Sequence, residues 1–264
     1  MGAVRQIYKM AFLVLLGSAP ARAELPAPLQ FNGQYLFTWN GITLGGLALG
    51  IDETAARYRI HLAVRSLGLV NWFTRHSDDT ITEGNREGGL NGSRYRPLHY
   101  ESFYKTKNKP RHILVNFTSK GVVTDEINEP PDKPGERQPA PHALKDGAYD
   151  PLSLLMELRS GTPEAKGFDG KRVFNVKAAK GAPTQLSAAG KDVAATPLVL
   201  SRTPLAGLSA KESAAYAKGE PVLALYVSDD ARRIPVGVSV PLFFGRVRGT
   251  LTRECPTWDA CKLP

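Results

Sequence analysis

Between Arg57 and Arg65 the chain alternates strictly: Tyr58, Ile60, Leu62 and Val64 fall on one face, Arg57, Arg59, His61 and Arg65 on the other. A period of two is the signature of a strand with one apolar and one solvated face, and a helix cannot use it. The same pattern places Tyr35, Phe37 and Trp39 together, opposite Gln34, Leu36 and Thr38. Further strands are predicted at 77–86, 94–105, 111–119, 121–127, 171–180, 183–188 and 191–200, with a last antiparallel group at 221–228, 232–240 and 243–253. Gly88-Gly89, Asn91-Gly92, Asp169-Gly170, Ala189-Gly190 and Asp229-Asp230 punctuate them at hairpin spacing. Many short strands joined by short turns favour a highly curved antiparallel sheet, a half-barrel or open barrel.

Two helices interrupt the pattern. Asp150-Pro151 supplies an N-cap and a proline at the first helical position, and Leu152, Leu154, Leu155, Met156 and Leu158 follow. Arg159 and Gly161 mark its end. This helix is apolar nearly all round and is expected to be buried, plugging or lidding the sheet. The second, from Ser209 to Lys218, opens on the capping-box pair Ser209 and Glu212; its Ala-rich face predicts a surface helix. Between Glu129 and Gly147 five prolines exclude ladder pairing and regular helix. That stretch is expected to be a long surface loop, either disordered or linking two parts of one sheet.

The N-terminus reads as a secretory signal peptide, residues 1–23. Arg5 and Lys9 precede an apolar run from Met10 to Leu16, and Ala21-Arg22-Ala23 supplies a cleavage site before Glu24. The run is far shorter than the ~20 residues of a membrane span. The expectation is one periplasmic β-rich domain over 24–264, with no transmembrane anchor after cleavage. The net charge of +9 includes Arg5, Lys9 and Arg22, so the mature chain carries +6. These charges are scattered, which together with export excludes nucleic acid as a partner. The two cysteines, Cys255 and Cys261, lie in the tail 254–264. In an oxidising compartment they are expected to form a small disulfide loop that pins the tail.

No nucleophile elbow, zinc-protease helix, phosphate-binding loop or dinucleotide fingerprint occurs in the chain. No catalytic residue, metal site or cofactor is assigned. His76-Ser77-Asp78-Asp79 is the best metal-like cluster, but its composition also suits a turn leading into a strand. Asp229 and Asp230 sit before Ala231-Arg232-Arg233, where a hairpin turn accounts for them. Aromatic residues come from strands far apart in sequence. Trp39, Trp72, Phe73, Tyr100 and Phe117 are the candidates for lining a cavity for an acyl chain, against the alternative that they fill the core.

Several motifs in order resemble an exported bacterial family. They begin with Gly33-x-Tyr35, Trp39, Gly41 and Gly45, then Tyr58 through Gly68, Gly84 and Pro97. Asp150-x-Leu152-Ser153, Phe168-Asp169-Gly170 and Tyr226-x-Ser228-Asp229-Asp230 follow, ending with Arg232-Arg233-x-Pro235 and Phe244-Gly245. The pattern is similar to the domain of unknown function 3108 family over about 33 to 253. It implies an exported antiparallel β domain without assigned activity. A more distant architectural likeness is to periplasmic lipoprotein carriers, whose half-barrel is lidded by helices. Motif residues also have direct physical roles: Gly41 and Gly45 suit turns or bulges in a bent hairpin, Asp169-Gly170 favours a tight turn, and Pro235 suits an edge position or a strand start. Three readings remain: a non-enzymatic envelope factor binding a lipid or other amphiphile in the concave sheet, a scaffold contacting envelope proteins, and a hydrolase built on His76, Asp78 or Asp79.

Overall fold

The computed structural model describes residues 28–68, 71, 74–87, 95–217, 222–242, 245–261 and 263. The expected signal segment 1–23, Trp72, Phe73 and Phe244 lie outside these residues, as do the Gly88-Gly89 and Asn91-Gly92 turns. The first half of the chain is a meander of β1 (Gln30–Trp39), β2 (Ile42–Glu53), β3 (Arg57–Ser66), β4 (Ser77–Arg86), β5 (Tyr95–Thr106), β6 (Lys109–Phe117) and β7 (Val123–Glu129). Two helices, α1 (His142–Lys145) and α2 (Pro151–Arg159), lead to β8 (Glu164–Phe168), β9 (Val173–Lys180), β10 (Thr184–Ala188) and β11 (Lys191–Ala206). Helix α3 (Ala210–Tyr216) precedes β12 (Leu223–Ser228), β13 (Pro235–Leu242) and β14 (Gly245–Glu254), and α4 (Trp258–Cys261) ends the described chain.

The fourteen strands among the described residues join one antiparallel sheet in the order β7-β6-β5-β4-β3-β2-β1-β14-β13-β12-β11-β9-β8, with β10 paired to β11. The first and last strands therefore lie side by side in the middle, Tyr35 opposite Leu251 and Phe37 opposite Gly249. The sheet curls but does not close, because β7 and β8 are not paired to each other. The first hairpin turns on Asn40 and Gly41, both at positive φ, as a two-residue turn matching strand twist requires. A bulge follows between Phe37 and Thr38, opposite Gly45. A Cβ on Gly45 would lie 2.7 Å from the Arg65 carbonyl oxygen, so the bend needs glycine there.

The proline-rich stretch is mostly exposed, and it is tied down. It spans the gap between β7 and β8. Arg137 bridges Ser209, and Tyr149 pairs in parallel with Gly167, covering the open edge of β8. Arg137 donates to the Gly207 carbonyl and to Glu212 Oε2 at 2.6 Å, while Lys145 donates to Glu126 at 2.5 Å. Proline density removed the ladder bonds, and the interspersed charges replaced them with ion pairs.

Strand β8, α1 and α4 were not anticipated. Gly167 weakens the strand signal of β8, yet a Cβ there would meet Phe174 at 2.5 Å and Leu154 at 3.0 Å. Strand β11 continues six residues beyond the expected end at 200, and passes Pro204 by shifting register between Pro204 and Ala206. Helix α3 carries the expected capping box and buries none of its residues.

Helix α2 is buried, but it is not apolar all round. Ser153, Glu157 and Arg159 are as inaccessible as Leu154 and Leu158. Charged residues are rarely buried without partners, and these have them. Glu157 accepts from the Tyr95 amide at 3.1 Å and from Thr162 at 2.6 Å. Arg159 donates to Glu53 at 2.7 Å and to the Tyr95 hydroxyl at 3.0 Å.

The C-terminal tail lies on the outer face of the sheet. The Cys255–Cys261 disulfide is formed, and with Trp258 and Leu263 it covers Ala48 and Ala63. Small residues make this possible: a Cβ on Gly46 would meet Leu263 at 2.8 Å, and one on Gly50 would meet Trp258 at 3.1 Å. The Trp258 ring stacks on His61 with centroids 3.8 Å apart.

Candidate functional site

Inside the curl lies a cavity of about 230 Å³. Strands β1 to β3 supply Tyr35, Phe37, Leu47, Leu49, Ile51, Ile60 and Leu62 to its wall, and β12 and β13 add Leu223, Leu225 and Val238. Helix α2 faces it with Leu152, Leu155 and Met156. The alternation of β2 explains half the wall. Leu47, Leu49 and Ile51 point inward while Gly46, Ala48 and Gly50 point to the tail outside. Leu47, Leu49, Leu62, Leu155 and Leu223 are only partly buried, so the cavity is reached from solvent over an apolar rim.

Beyond β3 the inner wall changes character. Thr82 pairs with Ile60 and Thr80 with Leu62, so the inner face of β4 is polar where that of β3 is aliphatic. Asp150 caps α2 here. Its carboxylate accepts from the amides of Leu152 and Ser153 at 3.0 Å, from Thr82 Oγ1 at 2.8 Å and from the Ser153 hydroxyl. Tyr58 and Ser153 share a hydrogen bond of 2.6 Å. Burial pushes the Asp150 carboxyl and the Tyr58 phenol above their ordinary ranges. Asp150 and Ser153 are both inaccessible to solvent, so this Ser–Asp pair has no substrate access and serves to anchor the helix.

Of the candidate lining residues, Tyr100 and Phe117 are buried in a separate cluster with Ile113, Val115, Phe168 and Val173, away from the cavity. They fill the core instead, because the inward side chains of β5 and β6 pack against Phe168 of β8 and Val173 of β9. Trp39 is half-buried at the end of β1, against Gly245, where a Cβ would lie 2.8 Å from its indole nitrogen. Trp39 is not among the cavity-lining residues, because it lies one inward position beyond Phe37. Tyr35, a motif residue that the alternation places on one face with Phe37 and Trp39, does line the cavity, and its hydroxyl donates to the Pro235 carbonyl at 2.6 Å. Leu47, Leu49 and Ile51 were missed, although their alternation with small residues was readable.

The remaining motif residues are turn and packing elements. A Cβ on Gly33 would strike Phe31 and Leu251. Asp229 accepts from Thr196 at 2.7 Å, and Asp230 accepts from Ser228 at 2.7 Å and from the Arg233 amide at 3.1 Å, shaping the turn before β13. Pro235 opens β13, and Gly245 opens β14 at a φ of 130°. His76, Asp78 and Asp79 do not converge. Asp78 points inward to Thr80 and Ser102, Asp79 outward to His61, and His76 bonds Thr106. No group of three or more His, Cys, Asp or Glu residues among the described residues is arranged to hold a metal ion.

Residues 34–252 match the family described as "Protein of unknown function (DUF3108)". The chain belongs to the DUF3108 family. No curated protein matches it. Among solved structures, this DUF3108 chain is similar to a β-barrel-like protein of domain of unknown function DUF1849 from Brucella abortus, at 12% identity and a TM-score of 0.50. The match covers 87% of this chain and 99% of that one, and it shows the shared β-barrel-like fold alone.

Proposed function

We propose that this DUF3108 protein is an exported, periplasmic, non-enzymatic binding protein that takes the apolar part of a lipid-like ligand into the cavity between β1–β3, β12–β13 and α2. The observation that carries this reading is the cavity itself, about 230 Å³ with a hydrocarbon wall and a partly exposed aliphatic rim. Packed interiors hold few voids of this size. A ligand chain would remove the apolar surface of the wall and of the chain itself from water, at about 25 cal/mol per Å². The size is below the ~300 Å³ at which drug-sized pockets begin, which suits one chain rather than a two-chain phospholipid.

The test is displacement of an environment-sensitive fluorophore from protein purified from its own periplasm, with the intact mass reporting cleavage before Glu24. Leu47→Trp should fill the cavity and abolish fluorophore binding while leaving the urea midpoint nearly unchanged. If the fluorophore binds the Leu47→Trp variant as well as the natural chain, the cavity is not the binding site.

A further inference from the structure

The basic residues are scattered along the sequence, but the fold sorts them. Along four strands of the cavity wall accessibility rises in one direction: Tyr35, Ile51, Ile60 and Leu225 are buried, whereas Phe37, Leu47, Leu62 and Leu223 are partly exposed. In the antiparallel register each of the second four lies nearer the level of the β1–β2 turn at Asn40-Gly41. The cavity therefore opens at that end of the curl, and Arg159 and Pro235 stand at its closed end. The paired row Leu47, Val64, Asp78 and Tyr104 crosses the sheet at the level of the rim. The β5–β6 hairpin projects beyond this row.

That hairpin presents Lys105, Lys107 and Lys109, all exposed, and Arg75, just before β4, is exposed at the same end. None of these four forms an ion pair with any described residue. The acids of this end are mostly engaged: Asp78 with Thr80 and Ser102, Asp79 with His61, Glu101 with His112, and Asp132 with Lys171 and Arg137. Glu129 and Glu136 remain exposed. At the closed end the arginines face acids: Arg59 pairs with Glu83, Arg159 with Glu53, Arg96 with Glu87 and Arg232 with Glu254. Its exposed lysines Lys120, Lys180 and Lys191 are spread over three separate turns. Aliphatic side chains accompany the cations of the open end. Ile42, which opens β2, is 50% exposed, and Val222, just before β12, is 43% exposed. Cations attract anionic headgroups, and aliphatic groups beside them gain by leaving water among the lipids. An acidic protein would answer only the charge, whereas a bilayer also answers the exposed aliphatic rim. We infer that the open end docks on an anionic phospholipid bilayer, which lets an acyl chain pass between membrane and cavity without crossing water. The purpose of the docking, though not the docking itself, rests on the cavity reading above.

Co-sedimentation tests this with two kinds of vesicle, pure phosphatidylcholine and equal parts phosphatidylcholine and phosphatidylglycerol. The natural chain is expected to bind the anionic vesicles at least about tenfold more tightly, since each basic residue near such a surface contributes about fivefold. Salt near 1 M, where charges are screened within about 3 Å, should release it. The triple variant Lys105→Glu, Lys107→Glu, Lys109→Glu should lose the preference for anionic vesicles. Lys120→Glu, Lys180→Glu, Lys191→Glu makes the same charge change at the closed end and should keep most of it. Equal losses in the two triple variants would trace binding to net charge and overturn the inference. Equal binding of the natural chain to both vesicles would overturn it as well, and would leave the open end to a protein partner. Fluorophore binding without vesicles should be the same in the open-end variant as in the natural chain, which also reports that the variant is folded. Loss of vesicle binding and loss of fluorophore binding are thus separate results, the first bearing on the docking and the second on the cavity.

Discussion

The two halves of the interior are built from the same kind of strand and packed in opposite ways. Around β1–β3 and β12–β13 the inward side chains are aliphatic and leave a space. Around β4–β7 and β8–β9 they are mixed: Thr80, Thr82 and Ser102 sit beside the buried cluster of Tyr100, Val115, Phe117 and Phe168. Helix α2 separates them, with Leu152, Leu155 and Met156 toward the space and Asp150, Ser153, Glu157 and Arg159 in hydrogen bonds. The polar half fixes where the helix stands, and the helix standing there keeps the apolar half from collapsing. Directional bonds thus maintain a void that non-directional packing alone would tend to close.

The most damaging way to break this division is at the buried ion pair. Glu53→Ala leaves Arg159 and Arg86 without their carboxylate, and should lower stability by about 3–5 kcal/mol in urea titration. A cost below ~1 kcal/mol would mean the polar half does not hold the helix. Matched truncations test the difference in packing directly. Leu158→Ala, in a fully enclosed site, is expected to cost about 2–5 kcal/mol, whereas Leu47→Ala, already bordering the space and partly exposed, should cost roughly 1 kcal/mol. Equal costs would show that the space is filled in solution.

The smallest effect concerns the seam that joins the halves on the outside. Burial opposes ionisation of Glu212, but charge-assisted bonds from Arg137 and a bond from the Ser209 amide outweigh it and hold the carboxyl at about 2, below its ordinary 4.5. A lowered folded-state value gives stability that is complete above pH 4.5 and is lost as pH falls through about 2. Thermal midpoints of the natural chain should therefore drop more steeply from pH 5 to 2 than those of Glu212→Gln. Parallel curves would remove the carboxylate from the seam.

Most of the sheet was legible because alternation is a local property. Ser77–Arg86 was placed to the residue, and the turns at Asp169-Gly170 and Asp229-Asp230 followed from their chemistry. The site was much less legible. Aromatic side chains drew attention to Tyr100 and Phe117, yet a residue's place on an inward face does not say which side of the curl it reaches. That depends on strand order, and the pairing of β1 with β14 is a contact between the two ends of the chain. The buried charges were also hidden, because Glu157 and Arg159 in a leucine-rich helix carry no local sign of partners on β2 and β5.

The adjacency of β1 and β14 has a consequence for how the molecule comes into being. A growing chain releases β1 about 200 residues before β14, an interval of roughly 10–40 s at ordinary synthesis rates of ~5–20 residues per second. Throughout that time β1 can pair with β2 while its other edge, from Gln34 to Thr38, waits with its amides and carbonyls uncovered. The middle of the finished sheet is thus the last part of it to be made, and an edge left uncovered in the growing chain ends between two neighbours.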